Sequence, residues 1–268
     1  MAREVNEAVE LAHAIGILTA ASLMVGGAAF DDAVARARRI PSLRVGLHLV
    51  LVDGWPLLPA DRIPDLVDGQ GRLRSDMFGM GRDIFLRRGI RRQLAAEIEA
   101  QFAAFKATGL PLDHVNAHHH FHLHPSVAGQ ILAIGPRYGM RALRVPREPA
   151  KLLNRIETWP VRRRDWLTAP WIAHLNRRVR RRSLRAADQV FGLAWSGAMS
   201  ESRVAGILRH LPEGVTEIYS HPAISSAFAD STNGYRYADE LAALVAPEVA
   251  ALARASGASL GGFSDLSP

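Results

Sequence analysis

Apolar positions along this chain change period repeatedly, and the changes mark its elements. Val5, Ala8, Val9 and Ala12 recur at three- and four-residue steps, predicting a helix over Val5–Ile15 that Gly16 ends. Ile17–Val25 is apolar and predicts a buried strand, with a turn at Gly26 and Gly27. Ala29–Arg39 predicts a second helix, and Leu43–Leu51 a second strand interrupted by His48. Asp53–Ser75 is rich in Pro, Gly and Asp and predicts a long loop or lid. Arg91–Ala107 has the pattern of an amphipathic helix, stopped at Gly109-Leu110-Pro111. A helix over Ser126–Tyr138, a short strand over Ala142–Val145 and a helix over Glu201–Leu211 follow. Val215–Ser220 predicts a strand, Tyr237–Ala255 one long helix, and Ser259–Asp265 a closing strand. Strands alternating with helices define an α/β fold with a mainly parallel sheet. Polar residues after strand ends (His48, His118, Arg144, Arg147 and His221) suit a barrel whose site lies at the strands' C-terminal face.

The length, 268 residues, suits one domain over residues 1–268 with a basic insertion at about 151–185. The chain has no cysteine, so any metal must be held by His, Asp or Glu. No apolar run is long enough to span a bilayer, and the charged N-terminus is not a secretory signal, which predicts a cytoplasmic protein. The net charge of +7 is concentrated: residues 151–185 alone carry +9. There Trp159, Trp166 and Trp171 are interleaved with arginines that include Arg177, Arg178 and Arg181. Tryptophan beside arginine is what an interfacial helix shows, so these residues are candidates for contact with an anionic membrane. A solvated basic helix held by its tryptophans is the plainer alternative. Charge confined to one insertion, with no binding motif, argues against nucleic acid.

The most informative stretch is Asp113–Pro125 (DHVNAHHHFHLHP), with six of the eleven histidines. As an extended segment it aligns His114, Asn116, His118, His120, His122 and His124 on one face. As a helix it pairs His118 with His122 and His120 with His124. Either geometry gathers imidazoles, the commonest transition-metal ligands. A lone His in an apolar strand is usually a satisfied core residue, but His48 gains weight beside this second segment.

Together EVNEAV, GILTAASLMV, PSLRVGLHLVL, DHVNAHHHFHLHP, ALRVPRE and EIYSHPA resemble the YdjC/ChbG-like carbohydrate deacetylase family, most of all its hopanoid-biosynthesis-associated HpnK type. The resemblance runs in order from about residue 4 to the C-terminus, outside the basic segment. It implies a deformed (β/α) barrel of the polysaccharide-deacetylase-like kind and removal of acetyl from an N-acetylglucosaminyl sugar, here attached to a hopanoid lipid. It implies one divalent ion, with Zn, Mg, Ni and Co left open, held by His48 and His118. It makes His221 a proton-transfer residue with a pKa near the working pH, and Arg144 and Arg147 orienting residues. Asn116, His120 and His122 then support the ligands. The family places an ADDFG-like acidic pair and its strand just before the EVNEAV-like segment, and this chain begins Met1-Ala2-Arg3-Glu4-Val5. The barrel is therefore expected to lack its first strand, and the chain to show weak metal affinity and little activity. The alternatives are an inactive lipid- or sugar-binding paralogue and a His-rich metal-binding protein. A protein of this kind works on the inner face of the cytoplasmic membrane; its oligomeric state stays open.

Overall fold

A computed structural model of the protein describes residues 2–158, 163–229 and 231–266. The chain runs α1 (Arg3–Ile15), β1 (Ala20–Leu23), α2 (Phe30–Arg39), β2 (Arg44–Leu49), α3 (Met77–Leu86), α4 (Arg88–Ala107), β3 (Val115–Ala117) and α5 (Pro125–Ile134). It continues with α6 (Ala150–Ile156), α7 (Arg163–Arg180), β4 (Gln189–Phe191), α8 (Glu201–Arg209), β5 (Thr216–Ile218), α9 (Tyr237–Val245) and α10 (Pro247–Ala255). Parallel pairing orders β1-β2-β3, with Leu47 opposite Val115 and His48 opposite Asn116, and joins β4 to β5. Single parallel bridges link Val115 to Leu143 and Ala142 to Arg185, extending the first sheet toward β4. The result is the mainly parallel α/β architecture of a deformed barrel.

The core follows the sequence periodicity. On α4, Ile90, Leu94, Ile98, Phe102 and Phe105 recur at three- and four-residue steps and are all buried. They pack with Leu47 and Leu49 of β2 and with Val127 and Ile131 of α5 in the larger core. A second core joins Phe191 of β4 to α8, α9 and α10. Among the described residues, no helix is long and apolar enough to cross a membrane.

Several features depart from the sequence reading; among them, Ala142–Val145 makes only single bridges instead of a strand, and α6 has no counterpart in it. The region 53–75 is not a free lid: Ile63, Leu66 and Leu73 are buried, and Val67 bridges Leu73. Two polar residues of α4 pin the chain that leads into it. Gln101 bonds both the N–H and the C=O of Val50, and Glu97 accepts the N–H groups of Leu57 and Leu58. The long C-terminal helix is two helices, broken at Ala246 because Pro247 cannot donate to a preceding turn. The closing strand is absent: Asp113 captures the N–H groups of Phe263 and Ser264, and the segment folds into a 3-10 turn over Phe263–Asp265. Helix α3 had no counterpart in the sequence reading.

Candidate active site

His48 lies near the C-terminal end of β2, and its strand neighbour Asn116 lies in the middle of β3. The Asn116 amide sits 2.7 Å from His48 Nδ1, 2.8 Å from Ser22 Oγ and 3.2 Å from the Arg144 guanidinium. A guanidinium only donates, so the amide oxygen turns to it and to the Ser22 hydroxyl, and the amide nitrogen donates to His48 Nδ1. Turned over, the oxygen instead accepts Nδ1–H and leaves the Nε2 lone pair of His48 for a cation. The amide orientation thus decides the His48 tautomer: the first leaves the proton on Nε2, the second frees Nε2 for a cation.

His118 follows β3 directly, and its ring lies 5.7 Å from that of His48, edge to face. The histidine stretch then takes neither geometry expected of it. It is extended through Ala117 and forms a 3-10 segment over His118–Leu123, with His119 at φ 51° and His120 at φ 53°. These left-handed residues turn successive rings in different directions. The His119 ring lies tilted against that of His118, with centroids 4.0 Å apart, and its Nε2 lies 3.3 Å from Asp53 Oδ2. Asp53 is itself left-handed, at φ 50°. Ligand atoms of Asp53, His118 and His119 all fall within 4.8 Å of one another. Sequence reasoning missed Asp53 and His119; the strand-end position of Asp53, just past β2, was the available signal.

On the opposite side, Arg144 pairs with Glu217 at 2.6 Å and lies over the Tyr219 ring, 4.6 Å from its centroid. His122 is buried, with Nε2 3.0 Å from the Arg144 carbonyl. His120 Nε2 meets the Tyr219 hydroxyl at 3.1 Å. The His221 ring contacts Tyr219 and Tyr235, at centroid distances of 5.6 Å and 5.1 Å. Glu217, Tyr219 and His221 alternate along one strand direction, so a period-two reading around His221 would have found the first two. Arg147 is exposed and, among the described residues, has no side-chain bond to this group. Glu148 beside it accepts the N–H groups of Gly192, Leu193 and Ala194, which holds the chain after β4.

Burial keeps His48, His118, His120, His122 and His221 neutral, the form that binds metal. It lowers His118 to about 4, helped by the charge of His119 and opposed by Asp53. Burial and the Arg144 charge bring His122 to about 4. His221 is also lowered to about 4, by burial, then Arg144 and His118. The expectation that His221 titrates near neutrality is therefore corrected: it rests neutral. Two or three imidazoles and a carboxylate at this spacing are a donor set that suits a borderline divalent ion.

On α7, Leu175 and Val179 are buried, Trp171 is about half exposed and Arg177 faces solvent, as does Arg181 just past the helix. Arg178 turns inward and donates to the Pro125 carbonyl at 2.9 Å. Trp159 and the Trp166 side chain lie outside the described residues.

Parallel strands that deliver histidines to one polar cluster define an α/β protein with its chemistry at the strand ends. The chain belongs to the YdjC-like protein family, whose model matches residues 1–255. It is 37% identical over 134 residues to a carbohydrate deacetylase of Brevibacillus brevis, a match covering 50% of this chain and 51% of that protein. It thus spans about half the length of the first curated relatives it matches. The chitooligosaccharide deacetylase of Serratia marcescens is 29% identical over 270 residues, covering 97% of this chain and 93% of that protein. A carbohydrate deacetylase of Geobacillus stearothermophilus is 29% identical over 251 residues, covering 92% and 86%. The same fold occurs in a solved Enterococcus faecalis protein named for a proposed cellobiose-phosphate cleavage. The TM-score is 0.76 at 22% identity, covering 100% of this chain and 95% of that one.

Proposed function

We propose that this protein is a metal-dependent N-deacetylase that hydrolyses the acetamide of an N-acetylglucosaminyl sugar carried on a hopanoid lipid. The observation that carries the reading is the approach of His48 and His118, from two different strand ends, to 5.7 Å between rings. His48 and His118 hold the ion, and Asp53, whose ligand atoms lie within 4.8 Å of those of His118 and His119, supplies the carboxylate. Imidazole donors favour Zn²⁺, Ni²⁺ or Co²⁺ over Mg²⁺. A bound ion supplies Lewis acidity toward the acetyl oxygen and a lowered pKa for water.

The chain's own residues do the rest. For His48 to take the ion through Nε2, Asn116 Oδ1 accepts from His48 Nδ1–H and the Asn116 amide nitrogen donates to Ser22 Oγ, while Arg144, braced by Glu217, lies beside it. His221 rests neutral, so the proton it gives to the departing amine is one it first accepts from the attacking water. Tyr219 and Tyr235 flank that ring and fix its place. The enzyme works at the inner face of the cytoplasmic membrane, with Trp171, Arg177 and Arg181 of the basic segment toward anionic lipid; Arg178, held on the Pro125 carbonyl, is not part of that surface. The names and coverage of the Serratia and Geobacillus relatives support the sugar-deacetylase part of this reading.

Elemental analysis of the purified chain, beside His48→Ala and His118→Ala, tests it. About one ion per chain, lost in both variants, is expected. Acetate release from an N-acetylglucosaminyl substrate should fall with it. Metal retained in both variants overturns the ligand assignment. Several ions per chain would mean metal storage, and sugar binding without acetate release an inactive binding paralogue.

A further inference from the structure

We propose that α3 and the start of α4 form a docking surface for an anionic membrane, separate from the basic α7 segment. This surface does not rest on the reaction assigned above.

Helix α3 hides one face and offers another. Met80, Gly81 and Ile84 are buried. On the outer face Phe78, Arg82, Phe85 and Leu86 fall at positions i, i+4, i+7 and i+8. Phe78 is 97% exposed, Phe85 62% and Leu86 68%. Two bare phenylalanines and a leucine on one helical face are costly in water and suited to the headgroup–acyl boundary.

The carboxylates beside this face are all paired, Asp83 with Arg82 of the face itself. Asp76 and Asp83 are already paired with Arg74, and Asp65 with Arg87. Arg88, Arg91 and Arg92 line an open hollow with Ala95 and Gln130. Among the described residues, no carboxylate pairs with Arg88, Arg91 or Arg92. Arg91 also donates to the carbonyls of Ile84 and Phe85, which fixes the hollow against the end of α3. Apolar side chains beside unneutralised guanidinium groups match a phosphate-bearing lipid surface, with headgroup phosphate in the hollow and acyl chain against the helix. Phe85 also meets His124, with ring centroids 6.5 Å apart, so a bilayer on α3 lies next to the histidine segment.

Co-sedimentation of the full chain with phosphatidylcholine vesicles, with and without phosphatidylglycerol, tests the surface. Binding is expected only with phosphatidylglycerol and should weaken as salt rises. Phe78→Ser with Phe85→Ser, and separately Arg88→Glu with Arg92→Glu, should each lower the partition coefficient by about tenfold or more. Circular dichroism melts should not move, because all four side chains are exposed. No sedimentation of the unaltered chain, or unchanged sedimentation of both variants, overturns the proposal. So does a loss seen only in Arg177→Glu with Arg181→Glu, which would assign docking to α7. If the serine variant merely converts a dimer to a monomer, the face is a contact between copies and the proposal fails. An effect of the arginine variant on free phosphate alone, with vesicle binding intact, also overturns it.

Discussion

Asp113 shows how much one buried carboxylate can organise. It accepts from the Phe263 and Ser264 N–H groups, from the Ser264 hydroxyl at 2.7 Å, and from His114 Nδ1 at 2.7 Å. Burial pushes its pKa up, but the bonds from His114 and Ser264 outweigh burial and hold it well below the usual carboxylate range. A carboxyl depressed in the folded state adds stability above its unfolded pKa of about 4, and that stability is lost as pH falls below it. Asp113→Asn should therefore cost roughly 2 kcal/mol at neutral pH and flatten the fall in urea midpoint on acidification. An unchanged acid limb in the variant would assign that fall to other groups. At this scale the sequence was only partly legible. Spacing gathered His118 and Asn116, and strand-end position with the family resemblance brought out His48 and His221, whereas Asp53 and His119 reach the site through left-handed backbone that no side-chain pattern announces.

Elements were legible wherever one face is buried and one is wet, as on α4, whose buried residues repeat at helical steps. They were not where local chemistry overrides period. Helix α3 carries Gly79 and Gly81 and exposes its largest apolar side chains, so its pattern reads out of phase with a core helix. Residues 259–265 alternate like a strand, but their N–H groups go to Asp113 and Asp265 instead of a ladder. Pro247 was visible and sufficient to divide α9 from α10. Within β2, Gly46 has a role that burial alone does not reveal. A Cβ there would lie 2.5 Å from the His114 ring, which Asp113 and Ser22 hold from both sides. Gly46→Ala should destabilise the protein by roughly 2 kcal/mol, through displacement of a fixed ring at the centre of the sheet. Thermal melting and near-UV circular dichroism would check it; an unmoved midpoint would show that His114 yields freely.

The whole molecule concentrates its departures from ordinary backbone at one place. Four described non-glycine residues have positive φ, and Asp53, His119 and His120 are three of them. The mainly parallel fold was legible from the alternation of strands and helices, but this concentration was not, since it shows only once the chain is closed. Each such residue costs about 1–2 kcal/mol against a residue free of a Cβ. His119 is exposed and buries little, so His119→Gly should raise global stability by roughly 0.5 kcal/mol after the added freedom of the unfolded chain is counted. Chemical denaturation would measure the gain, and a loss of stability would mean the His119–Asp53 contact outweighs the strain. A library of this gene selected for survival of heat alone would then drift toward glycine or asparagine at these positions. Thermostable descendants would keep the barrel and discard the histidines, so a heat screen needs a metal-binding counterscreen from its first round.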